Sequence, residues 1–435
     1  MLGRAEGIAM ASIKRVKDLM ELVGSWEGFD VVGVTTEDEL KPDVNGLPAP
    51  RLVIELRPKP DATRRCSRCG EIVVEIHDAT ARRIRDLPMG EWDVWLVLPR
   101  ARLRCPRCGP TVEAIPWLDR YQRMTKRLAD RIARMAQMTS LTATAAWFRV
   151  SWDTVKQIDQ RALATQLGPV DAQWDGLRVL AIDEFALHRG HRYATVIVDP
   201  TCKRVLWIAR GRTEEALTAF FAQLGPARCA RIEAVAVDMW APYARAVRAH
   251  CAQAALVYDL FHVVAKYGHE VIDRVRVDET NRLARAAGPG PVRNARRVIK
   301  GVRWLLLRNR ANLPTRADRI RLRELLAANR ALFIVYVLKD DLKHLWAFRY
   351  RAAAYRFWRA WRRRALASQI PALKQFVVIL ERHLDGILSH CRYPLHTGIL
   401  EGINNRIKVL KRIAYGFRDE AYFFLKIRAA FPGNS

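Results

Sequence analysis

Two cysteine pairs, Cys66 with Cys69 and Cys105 with Cys108, each stand at a Cys-x-x-Cys spacing and each run directly into a glycine. Four thiolates so spaced suit the closed tetrahedral shell of a structural zinc ion, with sulfur at about 2.3 Å and no position left open for chemistry. The glycines belong where the backbone wraps round so that its amides approach the sulfurs. The competing reading is four ordinary thiols or two disulfides. Cys202, Cys229, Cys251 and Cys391 lie singly in apolar surroundings and read as core thiols.

A second chemistry is carried by acids. Asp183 follows the apolar run 179–182 and precedes Glu184, and Asp238 closes the run 235–237. A carboxylate at the end of a buried strand is costly to desolvate unless it meets a cation or a metal. If the two strands are neighbours, the aspartates converge at one sheet edge as half of a two-metal site. The third ligand then comes from the last amphipathic helix, 398–414. There Leu400, Ile403, Ile407, Leu410 and Ala414 form an apolar stripe, while Glu401, Asn405, Lys408 and Arg412 align on another face. Glu401 would hold metal, and Asn405, Lys408, Lys411 and Arg412 would hold a phosphate backbone. Taken singly, the aspartates also read as strand-end caps and Glu401 as a solvated helix residue; together they favour the site.

These groups need elements to hold them. Residues 28–118 read as short strands at 51–57, 72–77 and 92–104, separated by Pro, Gly and Asp. Helical periodicity runs from Thr125 to about Leu167. Within it, 142–163 has the size and phase of a helix-turn-helix, with Ser151 capping a second helix that would turn Trp152, Asp153, Lys156, Gln157 and Gln160 toward a major groove. A plain antiparallel helix pair is the alternative. After a Gly/Pro/Asp linker at 168–176 come strand-length runs at 177–185, 191–199 and 204–209, a helix at 214–224, a strand at 232–238, a helix at 242–253 and a strand at 255–259. That order predicts a mixed sheet with helices on its faces. From about residue 276 the texture is helical.

The chain has 435 residues and a formal charge of +29, from 74 Lys and Arg against 45 Asp and Glu. That surplus calls for a polyanionic partner, with nucleic acid first. It is concentrated: residues 276–365 hold 24 Lys and Arg against 6 Asp and Glu, interleaved with aromatics that read mostly as helix packing. With 50% hydrophobic residues the chain builds real cores, which excludes wholesale disorder. No window approaches about 18 uncharged apolar residues, so no membrane span is predicted, and the charged first 24 residues do not read as a signal peptide. Reduced cysteines and a cytoplasmic, nucleoid-associated setting follow.

Residues 180–184 (LAIDE), 236–243 (AVDMWAPY), 259–264 (DLFHVV) and above all 400–418 (LEGINNRIKVLKRIAYGFR) closely resemble the ISL-three family of bacterial insertion-sequence transposases. The resemblance covers nearly the whole chain, and its C-terminal motif is highly specific. It implies a multidomain α+β protein: an N-terminal region with a zinc ribbon-like β head (1–118), a helix-turn-helix domain (119–167), and an RNase H-like α/β core in two parts (168–275 and 391–435) around a basic all-α insertion (276–390). It implies a DDE triad on Asp183, Asp238 and Glu401. Thr397 departs from the serine expected ahead of the glutamate and leaves the triad intact. The activity so implied is two-metal phosphoryl transfer with Mg²⁺, or Mn²⁺ in its place: hydrolysis at the transposon ends frees a 3′-OH, which then attacks target DNA. The zinc head and helix-turn-helix would read the terminal inverted repeats, the basic insertion would carry phosphate contacts, and pairing two ends favours a homodimer or higher homo-oligomer on DNA. The competing classes are a non-catalytic DNA-binding regulator, such as a domesticated transposase, and a metal-dependent nuclease.

Overall fold

The computed structural model describes Gly24 and residues 26–37, 50–171, 174–188, 190, 192–286, 301–395 and 398–434. Nearly all of the N-terminal stretch read for a signal peptide, part of the linker at 168–176, residues 287–300 of the basic block and Thr397 lie outside the described residues. Two compact units divide the chain, one built from 1–166 with 412–418 and one from 167–411 with 419–435.

The first unit holds strands β1 (Phe29–Glu37), β2 (Arg51–Pro58), β3 (Ile76–Arg85), β4 (Asp93–Cys105) and β5 (Gly109–Val112) in one sheet of order β1-β2-β4-β3, with β5 also on β4. Strand β4 serves two cores, one on each of its faces. Val94, Leu96 and Leu98 join Ile54, Leu56 and Ile84, whereas beyond Pro99 and Arg100 it is Ala101, Leu103 and Cys105 that turn inward, beside Cys66 and Val73. Period-2 alternation sends residues 94, 96 and 98 to one face and 101, 103 and 105 to the other, and the ladder to β3 runs without a register shift from Trp95 to Arg102. The strand expected at 72–77 is displaced: the ladder begins at Ile76 and runs to Arg85, and Ile72 pairs only with Arg65 in an isolated bridge. Residues 78–83 lack apolar alternation because they face solvent. Pairing with β4 fixes them, helped by ion pairs Arg102–Asp78 at 3.1 Å and Arg104–Glu75 at 3.0 Å.

Helices α1 (Lys126–Met138), α2 (Leu141–Phe148) and α3 (Trp152–Leu167) follow. Each N-terminus has a hydroxyl cap: Thr125 accepts from Leu128 N, Ser140 Oγ from Ala143 N, and Ser151 Oγ from Thr154 N. Leu128, Ile132 and Ala136 pack against Ala145, Phe148 and Val155. The turn between α2 and α3 puts Arg149 at φ 51°, and Arg85 on the sheet donates to the Phe148 and Arg149 carbonyls at 2.9 and 3.1 Å while pairing with Asp93 at 2.7 Å. Buried Asp86 accepts from Trp26 Nε1, Thr125 Oγ1 and Arg127, fastening the sheet to the start of α1. The helical trio is therefore held rigidly on the sheet within this unit.

The second unit contains β6 (Val179–His188), β7 (Arg192–Asp199), β8 (Arg204–Arg210), α4 (Glu214–Leu224), β9 (Ala234–Val237), α5 (Ala241–His250) and β10 (Ala255–Tyr258). The sheet order is β10-β9-β6-β7-β8, antiparallel across β6-β7-β8 and parallel across β6-β9-β10. Its longer helices are α6 (Leu260–Tyr267), α7 (Asp273–Ala286), α8 (Arg316–Ala328), α9 (Arg330–Lys343), α10 (Arg351–Ala367), α11 (Pro371–Leu388), α12 (Gly398–Ile413) and α13 (Glu420–Ala430), with short turns of helix at Pro226–Cys229 and Arg303–Leu307. One continuous apolar core runs from Ile182, Ile197 and Val235 in the sheet to Leu332, Trp361 and Phe376 in the helices. Of the aromatics in the basic block, Tyr336, Trp358 and Trp361 are buried as expected, while Trp304, Phe333, Tyr350 and Tyr355 stand at the surface. Helix α11 lies so close to β10 that a Cβ on Gly386 would sit 2.6 Å from the Tyr258 ring.

Candidate functional site

The four cysteines of the first unit come together as their spacing predicts. One sulfur from each lies within 4.8 Å of the others, and Cys69 Sγ is 3.5 Å from Cys105 Sγ. Gly70 and Gly109, directly after the knuckles, have φ of +77° and +70° with open space where a Cβ would be, so the glycines supply the left-handed turn. The Arg68 amide points at Cys66 Sγ from 3.4 Å. Burial raises the Cys66 thiol, but the Cys69 and Arg68 amides and the neighbouring thiols outweigh it and bring the group down to about 7. Against the Glu71 amide, burial and the other three thiols push Cys69 up to about 12. Four sulfurs that compete this strongly for one negative charge fit a divalent cation that takes four thiolates, and zinc is the ion that donor set selects.

In the second unit, parallel pairing sets Ala181 opposite Ala236. Two residues further along, Asp183, within β6 and opposite Val196 of β7, and Asp238, just past the end of β9, stand at the same level of the sheet. Tyr258 pairs with Val237, so Asp259 falls at that level too. The Asp183 carboxylate is held from both sides: Oδ1 accepts from the Glu184 amide and Oδ2 from Asn404 Nδ2, each at 2.8 Å. Asp238 Oδ1 accepts from the Trp240 amide at 3.0 Å. Burial lifts Asp183 above the usual carboxylate range, opposed by the Glu184 amide, His262 and Asn404. It lifts Glu184 as well, with Asp238 and Asp183 adding repulsion, and Asp238, with His262 pulling the other way. Arg212 is the nearby guanidinium, 3.5 Å from Glu184 Oε1 and lodged between the Tyr193 and Trp240 rings. An all-oxygen cluster destabilised by its own burial and crowding fits a hard divalent cation such as Mg²⁺.

Helix α12 brings the third acid. Leu400, Ile403, Ile407 and Leu410 are buried, and Glu401, Asn405 and Lys408 are exposed, as the periodicity predicts. Asp183 and Glu401 line one cleft of about 1270 Å³, together with Asn404, Asn405 and Lys408. Asp238 is not in its lining, and among the described residues no set containing all three acids brings its ligand oxygens within 4.8 Å of one another. Lys408 Nζ donates to Asn405 Oδ1 at 3.3 Å, and Lys411 Nζ to the Ala186 carbonyl at 3.3 Å, which ties Lys411 to strand β6. On α3, Trp152, Asp153 and Gln157 are exposed, Lys156 and Gln160 half-buried, and Lys156 lies over the Trp152 ring.

Sequence reasoning placed Glu184 beside Asp183 but missed Asn404, Asp259, His262 and Arg212 as neighbours of the acids. For Asn404 a signal existed: it sits three residues after Glu401, at the border of the apolar stripe, where a polar side chain can reach inward.

Residues 180–427 match the model of a family described as Transposase, residues 113–163 that of the helix-turn-helix domain of transposase family ISL3, and residues 62–108 that of the zinc-finger of transposase IS204/IS1001/IS1096/IS1165. The chain is 49% identical over 420 residues to the transposase for insertion sequence element IS1001 of Bordetella parapertussis, covering 96% of this chain and 99% of that one. It is 32% identical over 410 residues to the transposase for insertion sequence element IS1557 of Mycobacterium tuberculosis, covering 90% of each.

Proposed function

The chain belongs to the ISL3 family of transposases, and on that premise we propose that it binds the terminal inverted repeats of an insertion sequence, cuts DNA at the ends and joins the freed 3′-OH to target DNA, using Asp183, Asp238 and Glu401. The observation that carries the reading is the register that sets Asp183 level with Asp238, combined with the cleft shared by Asp183 and Glu401. The domain division follows the same line: a zinc head within 1–118, a helix-turn-helix at 119–167, and an RNase H-like core at 168–275 and 391–435 interrupted by a basic helical insertion at 276–390. Three antiparallel strands followed by two parallel ones, in the order β10-β9-β6-β7-β8, support that core assignment.

Two Mg²⁺ ions held by the oxygens of the three acids would lower the pKa of a bound water and offset charge gathering at phosphorus. The residues themselves do the rest. The Glu184 amide and Asn404 fix the carboxylate plane of Asp183, and the Trp240 amide fixes Asp238. Arg349, Arg392 and Lys408 line the cleft and take phosphate oxygens. In the first step a water oxygen bonds to phosphorus as the P–O3′ bond breaks, leaving a 3′-OH and a 5′-phosphate. In the second, that 3′ oxygen bonds to a target phosphorus as the target's own P–O3′ bond breaks. No side chain is attacked, so no protein–DNA covalent intermediate arises. The zinc head and the α3 residues Trp152, Lys156, Gln157 and Gln160 read the ends, Asn405, Lys411 and Arg412 add contacts to the backbone, and two copies pair two ends.

A regulator without catalysis has no use for two level aspartates opposite a glutamate on a basic helix, and a simple nuclease needs no pairing of ends. The test is incubation of the full chain and Mg²⁺ with a duplex carrying the element's own ends and a plasmid target. Strand-transfer product is expected from the unaltered chain; Asp183→Asn, Asp238→Asn and Glu401→Gln should each lose cleavage while retaining end binding. A variant that cuts normally removes its residue from the triad, and end binding without any cutting by the unaltered chain favours the regulator.

A further inference from the structure

The cleft lined by Asp183 and Glu401 carries more aromatic surface than a grip on phosphates needs. Phe261 is 64% exposed although it is the second residue of α6, where Asp259 caps its amide at 3.0 Å. Its backbone is fixed while its ring stands open in the cleft, edge-on to His262. In the same lining Trp346 stacks against His390 with centroids 5.7 Å apart, and Phe348 is half-buried. Arg349, Arg392 and Lys408 supply positive charge in the same lining.

A base inside a duplex has both faces covered by its neighbours, so it offers an aromatic side chain only its edge. An unpaired base has a free face, and an aromatic platform beside cations is the usual receptor for it. Burying Phe261 under a base also removes from water an apolar surface that the fold leaves open. Resting on the function proposed above, we infer that this cleft takes an unpaired base of the DNA strand next to the bond being cut, stacked on Phe261, with the adjoining phosphates on the cationic lining. The substrate would thus be opened locally, the end base pairs parting before the phosphate reaches the acids.

The full chain, in buffer without added divalent cation, is titrated with two short duplexes carrying the element's end: one fully paired, one with mismatches at the cleavage junction and 2-aminopurine as an unpaired base. Stacking of one base predicts roughly tenfold tighter binding of the opened duplex, with the 2-aminopurine fluorescence quenched. Phe261→Ala should abolish both the preference and the quenching while binding the paired duplex as before, and Phe261→Tyr should restore them. Phe261→Leu serves the same purpose if the alanine variant does not fold. Equal binding of the two duplexes by the unaltered chain, or a preference that survives loss of the ring, overturns the inference and leaves the triad untouched. Normal cutting by Asp183→Asn would instead overturn the proposed chemistry and leave the stacking measurement standing.

Discussion

Replacing Asn404 by leucine should separate activity from stability. The side chain does two opposed things. Its Nδ2 donates to Asp183 Oδ2 at 2.8 Å, and its Oδ1 is buried with no hydrogen-bond partner. A hydrogen bond to a charged group contributes about 1.5–3 kcal/mol, and a buried unsatisfied acceptor costs about 1–3 kcal/mol. In Asn404→Leu, which keeps the branched side chain of four heavy atoms, the two effects nearly cancel, so the melting temperature should move by no more than about 2–4 °C. The Asp183 carboxylate loses one of its two anchors, however, and whatever depends on its orientation loses the first figure, roughly tenfold to a hundredfold. The assay is single-turnover cleavage of an end duplex, with calorimetric Mn²⁺ binding and thermal melting on the same preparations. The single-turnover rate constant and Mn²⁺ affinity should fall with the affinity for the DNA end unchanged. Unaltered cleavage, or a loss that simply tracks a fall in melting temperature, would refute the positioning role.

Stripping zinc, or Cys105→Ser, should unfold the cysteine-bearing end of the first unit and weaken end binding; retained end binding after verified loss of zinc counts against a recognition role for the head. Gly386→Ala places a methyl 2.6 Å from the Tyr258 ring and 3.3 Å from the Leu256 carbonyl, and should lower stability by about 1–3 kcal/mol by denaturant titration. Lys339 is buried and donates to the Leu306 and Arg308 carbonyls at 2.6 and 3.1 Å, yet burial brings its ammonium down from 10.5 to about 8. The unfolded chain therefore holds this proton to higher pH than the folded one. The Lys339 contribution to stability should rise between about pH 8 and 10.5, by up to about 3 kcal/mol, and Lys339→Met should remove that component from the pH profile of unfolding.

Elements with strong periodicity were legible in the sequence, while those specified by their partners were not. Helix α4 begins and ends where its pattern does, and the apolar stripe of α12 is buried as its 3.6-residue period requires. Strand β3 was displaced because its residues face solvent and carry almost no alternation; only the ladder to β4 specifies it. Helix α5 ends at His250, earlier than the 253 expected, with Cys251 already out of helical conformation. The cysteine quartet was fully legible because both its halves are local, each knuckle built from four consecutive residues and a glycine. That β4 buries one face at 94–98 and the opposite face at 101–105, which lets one strand end at those sulfurs, was not legible, since it depends on which core covers each half.

The acids show the same division at the level of the site. Asp183 and Asp238 could be singled out because a charge at the end of an apolar run contradicts its surroundings, and such a contradiction is informative wherever it falls. What surrounds them is set by strand register and by the seating of α12, which no spacing along the chain encodes. Asn404 meets Asp183 across 221 residues of sequence. The outcome is electrostatically lopsided: four carboxylates, Asp183, Glu184, Asp238 and Asp259, gather at one level of the sheet with His262 and Arg212 as cationic or titratable groups whose influence reaches them. The whole chain carries +29 and holds basic side chains in excess. A fold selected for stability alone would have drawn some of that surplus inward to neutralise the cluster, as Asp86 is neutralised by Arg127 and Asp93 by Arg85 in the other unit. Under the function proposed above, acids left under-compensated in this way suit a site whose missing positive charge arrives from outside as metal ions.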